Sequence, residues 1–449
     1  MGCRLSVQPS RDFLLSSSSS KESARQGVGP GIDWPLLWPF FLFVLSLPFT
    51  RYSLVANYSL DNILALLLPV LAFFLRPPVG AEALRGWIVC LLWSGVCYLI
   101  FATGWLLSYF NDPLLLKERL FALVKDLLYF SIPLLYLRSG YAFRQVKGVL
   151  ILLTAIAALS ALLASLGLIH LPADRFESSR IGVEWLPKAI GLFSNYGDVA
   201  MLYAVTGVLL ISHQRSALPW GLGQPFVKLA IWLTLLLGLI GNQSRNVLIT
   251  TLMAVCVYLG LRAMEREQRQ KDRLLLLSAA VVGALVLLGL VVLFGQAMVD
   301  EVSQLGGAGA AGTARARLNS YQQAVQLIAR EPWLGITLET YRSWGSLADG
   351  IHNMWLKIML NGGFVSLMAM LALLWGALRG LFSIDGKVSV EFHRDRAVIA
   401  SLLFSLLLAS QFYPGLSMIW WMLLGVVMSF GCLKWQYANE QRARHNERG

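Results

Sequence analysis

The sequence predicts an all-α fold: a polytopic integral membrane protein of about 12 transmembrane helices, with a large loop on the outer side that contains an amphipathic helix. Three observations predict it. Of 449 residues, 57% are hydrophobic and only 14% charged, and the mean hydropathy is +0.62. Soluble domains carry about 25% charged residues, so lipid is the expected solvent. Apolar stretches long enough to cross a hydrocarbon layer recur along the whole chain. No tract is long and polar enough for a separate soluble domain, so residues 34–433 read as a single transmembrane domain between tails at 1–33 and 434–449.

The first tail, "MGCRLSVQPSRDFLLSSSSSKESARQGVGPGID", is polar, Ser-rich and basic. It has no apolar h-region and so does not read as a cleavable signal peptide. "MGCRLS" fits a myristoylation pattern over six residues only, and a chain with many spans needs no lipid anchor. The spans are expected near 34–49, 59–75, 87–108, 118–137, 147–170, 192–212, 226–241, 245–262, 274–296, 354–378, 397–413 and 416–433. The first and seventh are short, and Lys125 and Asp126 break the apolar run of the fourth.

The net charge of +12 has two readings, nucleic-acid binding or cytoplasmic anchoring. The distribution decides for the second. With the N-terminus inside, the inner segments hold 24 of the 37 lysines and arginines and the outer ones 11, with Lys125 and Lys357 within spans. That bias puts both termini in the cytoplasm. The five cysteines, Cys3, Cys90, Cys97, Cys256 and Cys432, show no metal-ligand spacing, and the four within apolar runs read as packed thiols.

Two outer loops are long: 171–191, and 297–353, which is the largest hydrophilic insertion. The second opens with "GGAGAAG", read as a hinge, and continues as "TARARLNSYQQAVQLIAREPWLG". Leu318, Tyr321, Val325 and Ile328 recur there at helical spacing, which predicts an apolar face along the membrane surface or over a cavity, and Pro332 ends the helix. "GAGAAGT" at 307–313 lacks the lysine and preceding strand of a phosphate-binding loop.

The expected topology gathers polar outliers on the outer side. Arg245 stands at the mouth of the eighth span, Arg315 and Arg317 on the loop helix, and His352 and Asn353 at the mouth of the tenth. Arginine forks match phosphate oxygens and can stabilise a departing pyrophosphate. A histidine titrating near neutrality can accept a proton from a sugar hydroxyl. Together they describe group transfer from a lipid pyrophosphate to an alcohol. Each residue alone also has a plainer reading. Arg245 fits a snorkelling arginine, Arg315 and Arg317 a solvated helix face, His352 a helix cap, Lys125 and Asp126 an interhelical pair, and Trp420 and Trp421 an interfacial belt. No Asp-x-Asp or His-rich cluster argues for a metal.

Four stretches carry a family resemblance. "QSRNVLI", "RLNSYQQAVQLIAREPWLG", "HNMWLKIMLNGGFVS" and "GLFSNYGDVAMLYAV" resemble, in order and spacing, motifs of the O-antigen ligase and polymerase superfamily of bacterial inner membranes. The resemblance implies catalytic roles for His352, Arg245 and Arg317, with Arg315, Asn353 and Asn195 as substrate-binding candidates. Asn361 stands where family members often have glutamate, so that position is not expected to be the sole base. The implied activity is that of an O-antigen ligase, an inverting glycosyltransferase moving polysaccharide from undecaprenyl pyrophosphate to lipid A-core on the periplasmic side of the inner membrane. It implies no metal, ATP or other cofactor, and no nucleic acid as partner; membrane lipids surround the chain. The same resemblance allows a polymerase of undecaprenyl-pyrophosphate-linked repeats or a protein O-oligosaccharyltransferase. A transporter or flippase would instead place its polar groups near the midplane on repeated halves.

Overall fold

The computed structural model describes residues 34–49, 53–55, 58–74, 81–107, 113–137, 140–170, 176–177, 188–193, 195–212, 218–242, 244–264, 281, 310–336, 351, 353–382, 390–411, 416–431 and 433. Of Arg245 and residues 311–318 it describes the backbone only. The expected span at 274–296, His352 and both tails lie outside the described residues.

Eleven of the twelve expected spans are helical. They form α1 (Trp34–Ser46), α2 (Leu60–Phe74), α3 (Ala81–Leu107), α4 (Pro113–Tyr136), α5 (Gly140–Ser165), α6 (Tyr196–Ser212), α7 (Pro225–Asn242), α8 (Arg245–Met264), α10 (Met354–Phe382), α11 (Val390–Ala409) and α12 (Met418–Gly431). The loop helix is α9 (Ala310–Arg330). Five segments, in α3, α5, α7, α8 and α10, are long and apolar enough to cross a membrane by length and composition. Two 3-10 turns, Leu47–Phe49 and Pro219–Gly221, and two antiparallel ribbons complete the described elements: β1 (Ser53–Val55) with β2 (Tyr58–Ser59), and β3 (Phe176–Glu177) with β4 (Lys188–Ala189), the latter inside the loop expected at 171–191.

The outward faces are apolar too. Val89, Leu92, Val96 and Leu99 repeat at spacings of 3 and 4 along α3 and are all exposed, as are Leu229, Leu233 and Leu236 on α7. A helix apolar on both its packed and its open side belongs in hydrocarbon, where surfaces of this kind are solvated by lipid tails. The chain has the make-up of a helical membrane protein.

Helices meet where small residues let backbones approach, the usual device where lipid removes the hydrophobic incentive to associate. Gly238 packs on Ala158 and Gly241 on Ala161, with Ser165 Oγ donating to the Gly241 carbonyl at 2.9 Å, so α5 and α7 run parallel. Gly104 packs on Gly362 and Gly376 on Trp93, so α3 and α10 run antiparallel. Thr154 and Thr206 bond hydroxyl to hydroxyl at 2.7 Å between α5 and α6. The parallel run of α5 and α7 is the one that alternating crossings of α5, α6 and α7 require.

α12 is the centre of the bundle. Residues 419–430 are all buried, and Trp421 meets the rings of Tyr98, Phe101 and Phe130 at 5.1, 5.7 and 6.0 Å. Trp420 and Trp421 are therefore core residues, which corrects the expectation of an interfacial belt. A helix surrounded on all sides buries adjacent positions, and hydropathy alone does not distinguish the core of a bundle from its rim.

α4 runs without interruption through Lys125 and Asp126, because Lys125 reaches the buried Asp61 of α2 at 4.0 Å. Its partner is thus on another helix, and Tyr129 donates to the same carboxylate. α11 starts at Val390, seven residues before the expected boundary of 397. Phe392 stacks on Phe430 and Asp395 pairs with Lys147 of α5, so the polar first turns stay helical. Both ions of that pair are buried. Lys147→Ala alone is expected to cost about 3–5 kcal/mol by stranding a buried carboxylate, whereas Lys147→Met with Asp395→Leu recovers most of it. Denaturation midpoints of the purified protein in detergent check this; a double variant as unstable as the single one overturns it.

α9 is amphipathic, but its register differs from the expected one. Ala324, Leu327 and Ile328 are buried with Tyr321 packed beside them, against Leu360 and Ile351, while Val325 is 54% exposed. The side chain of Leu318 lies outside the described residues. A short alanine carries the contact because α9 comes close to α10. The helix also begins at Ala310, so 310–313 of the expected hinge is helical.

Candidate functional site

A cavity of about 370 Å³ lies where α3, α4, α6, α10 and α12 converge. Phe101 and Trp105 come from the end of α3, and Arg119, Lys125 and Asp126 from α4. Phe193, Asn195 and Asp198 come from the entry into α6, Lys357 from the first turns of α10, and Leu416 to Ile419 from the entry into α12. Every contribution comes from the end of its helix that the charge bias assigns to the outer side, Arg119 to Asp126 reaching furthest down.

Local rules explain each placement. Asn195 precedes α6 and accepts the Gly197 N–H at 2.7 Å, an N-cap that satisfies one donor of the free helix start. Asp198 then falls in the first turn of α6, where a carboxylate suits the helix dipole. The segment before it is pinned to α5: Gly191, at φ +80°, packs on Ser160 and Ala161, and Ser160 Oγ accepts the Leu192 N–H at 3.1 Å. Asp198 is 6% exposed, and its Oδ1 is buried without a hydrogen-bond partner among the described residues. Ser417 stands beside it and caps α12 by accepting the Trp420 N–H at 3.1 Å.

Asn353 caps α10, its Oδ1 accepting the Leu356 N–H at 3.1 Å, and its Nδ2 donates to Gln411 at 3.2 Å. With Met354 N–H donating to the Ser410 carbonyl at 2.9 Å, the start of α10 is tied to the end of α11. Asn353 thus has a positioning part, one residue after His352. Lys357 follows one turn later.

α10 is broken at Gly363, with φ +60° and ψ −162° inside the helix. The chain leaving α9 enters the break. Phe364 and Val365 donate to the carbonyls of Pro332 and Trp333 at 2.8 and 3.3 Å, and Ile336 donates to that of Leu360 at 2.8 Å. The backbone groups freed by the kink are therefore satisfied by the loop, as irregular backbone in a buried bundle requires. A Cβ on Gly363 would strike the Trp333 carbonyl, and one on Gly335, at φ +78°, the carbonyl of Leu360. The glycines of "PWLG" and "NGG" interlock two stretches that the sequence separates. Trp333, 71% exposed, and Phe364 pack ring to ring at 6.1 Å beside this joint, an aromatic rim.

Of the residues expected to act, Asn195 lines the cavity and Asn353 stands at the mouth of α10. Arg245 opens α8 four residues after Gly241, and Gly241 packs on the same end of α5 as Gly191. Arg315 and Arg317 lie in the first turns of α9, and their side chains, like that of Arg245, lie outside the described residues. So does His352. Arg119, Lys125, Asp126, Asp198 and Lys357 had no role in the sequence reading of the site. Lys125 and Asp126 were marked by charge inside an apolar run, a sign of function by default in membranes, while Asp198 and Lys357 lie within the stretches "GLFSNYGDVAMLYAV" and "HNMWLKIMLNGGFVS".

These features define a class: a many-helix membrane protein with a polar cavity at one end of its bundle and a loop helix locked beside it. Residues 229–371 match the O-antigen ligase family, and the chain carries the domain of that superfamily. The match begins in α7 and ends in α10, so it contains Arg245, Arg315, Arg317, His352, Asn353 and both interlocked glycines. Asn195 and Asp198 lie before it. No curated protein matches the chain. The family places the protein among enzymes of lipid-linked glycan processing, of ligase or polymerase type.

Proposed function

We propose that the protein is an O-antigen ligase, transferring polysaccharide from undecaprenyl pyrophosphate to a sugar hydroxyl of lipid A-core on the periplasmic face of the inner membrane. The observation that carries the reading is the family match at 229–371, which contains Arg245, Arg315, Arg317 and His352 and reaches the cavity wall at Lys357. Arg245 and Arg317, assisted by Arg315, grip the donor pyrophosphate and stabilise it as it leaves. His352 takes the proton of the attacking hydroxyl or orients it. Attack from the face opposite the pyrophosphate inverts the anomeric centre. The donor already holds the energy of the bond that is transferred, so the step needs neither ATP nor a metal.

Deleting the gene tests this against its relatives. Free lipid A-core with long glycan retained on the undecaprenyl carrier is the expected result. Single-repeat caps on lipid A-core would instead indicate a polymerase, and lost glycoprotein with intact lipopolysaccharide a protein transferase. Either result overturns the ligase reading.

A further inference from the structure

We propose that the cavity is the acceptor subsite, holding a sugar ring with Asp198 as the hydrogen-bond acceptor for one of its hydroxyls. The inference rests on the transfer reading above and assigns its second substrate a place.

Asp198 is the starting point. A carboxylate oxygen buried in a helical bundle and lacking a donor is expensive; Ser417 bonds the Asp198 carboxylate, yet its Oδ1, on the wall of a cavity, has no partner among the described residues. A ligand hydroxyl relieves that cost. The composition of the walls decides which ligand. Arg119, Lys125 and Lys357 offer donors, Asp126 and Asp198 offer acceptors, and Phe101, Trp105 and Phe193 offer rings. A sugar presents hydroxyls that both donate and accept, around apolar C–H faces that lie against aromatic rings. A diphosphate only accepts hydrogen bonds, so it offers no donor to Asp198 or Asp126. The donor pyrophosphate is thereby left to the arginines of the family domain. The volume of about 370 Å³ lies within the range that takes a small ligand, and the cavity adjoins the first turns of α10, where His352 precedes the helix.

The test uses full-length protein in nanodiscs, with purified lipid A-core and an undecaprenyl-pyrophosphate-linked glycan. Asp198→Ala is expected to raise the KM for lipid A-core at least tenfold while the KM for the donor stays within twofold. Trp105→Leu, which removes a ring and no charge, is expected to shift the acceptor KM in the same sense. Melting temperatures report folding; where Asp198→Ala does not fold, the near-isosteric Asp198→Leu, which also lacks an acceptor, carries the measurement. An unchanged acceptor KM, or an effect confined to the donor, overturns the proposal. Binding of deacylated core oligosaccharide is measured separately, without donor. Should wild-type protein transfer nothing to lipid A-core, the ligase reading fails, and the subsite then stands or falls on whether Asp198→Ala abolishes oligosaccharide binding.

Discussion

His352→Ala and Arg245→Ala each abolish glycan transfer while leaving the protein in the membrane. Loss of a general base typically costs about 10²–10⁴ in rate, and loss of one preorganised donor to developing charge about 10²–10³. Either loss is enough to erase long-chain lipopolysaccharide from a gel of whole cells. Both residues lie within the matched domain, and the amount of each variant recovered in the membrane fraction is expected to match wild type. Normally capped lipopolysaccharide in cells carrying either variant would remove the proposed site.

Gly363→Val gives the largest structural effect. The position needs φ +60°, which a β-branched residue avoids, and the new Cβ would strike the Trp333 carbonyl. Strain of about 1–3 kcal/mol adds to the loss of the Phe364 and Val365 hydrogen bonds to the loop, for a total of roughly 3–5 kcal/mol. The expected result is release of the segment around Pro332 from α10. It should be read as faster proteolysis between α9 and α10, a lower melting temperature and lost transfer. Gly335→Val, acting from the other side of the joint, should reproduce it. Wild-type protease resistance in both variants would show that the interlock is not what holds the loop. The cost falls on function because the joint lies within α10, between Lys357 on the cavity wall and the rest of the helix.

Much of this was legible in the chain. Eleven helices fall where apolar runs predicted them, since crossing hydrocarbon is a demand each segment meets by itself. The motif around "HNMWLKIMLNGG" was visible as a pattern, but its glycine had no reason until the Trp333 carbonyl was seen against it. Asn353, a binding candidate by sequence, is occupied as a helix cap. Val325 and the tryptophans of α12 show the same limit from another direction. Periodicity says that α9 has an apolar face and α12 is apolar throughout, but not which neighbour lies against them.

The sequence by itself determined the solvent, the helical class and the family motifs, because composition and local spacing carry all of these. Only the tertiary structure decided that Lys125 answers to Asp61, that Asp198 shares a cavity with Lys357, and that "PWLG" closes a break in α10. The physical reason is that lipid is as apolar as a leucine face. Hydropathy commits a segment to the membrane but leaves its rotation open. Close approach of small residues and the pairing of buried polar groups then choose the face that turns inward.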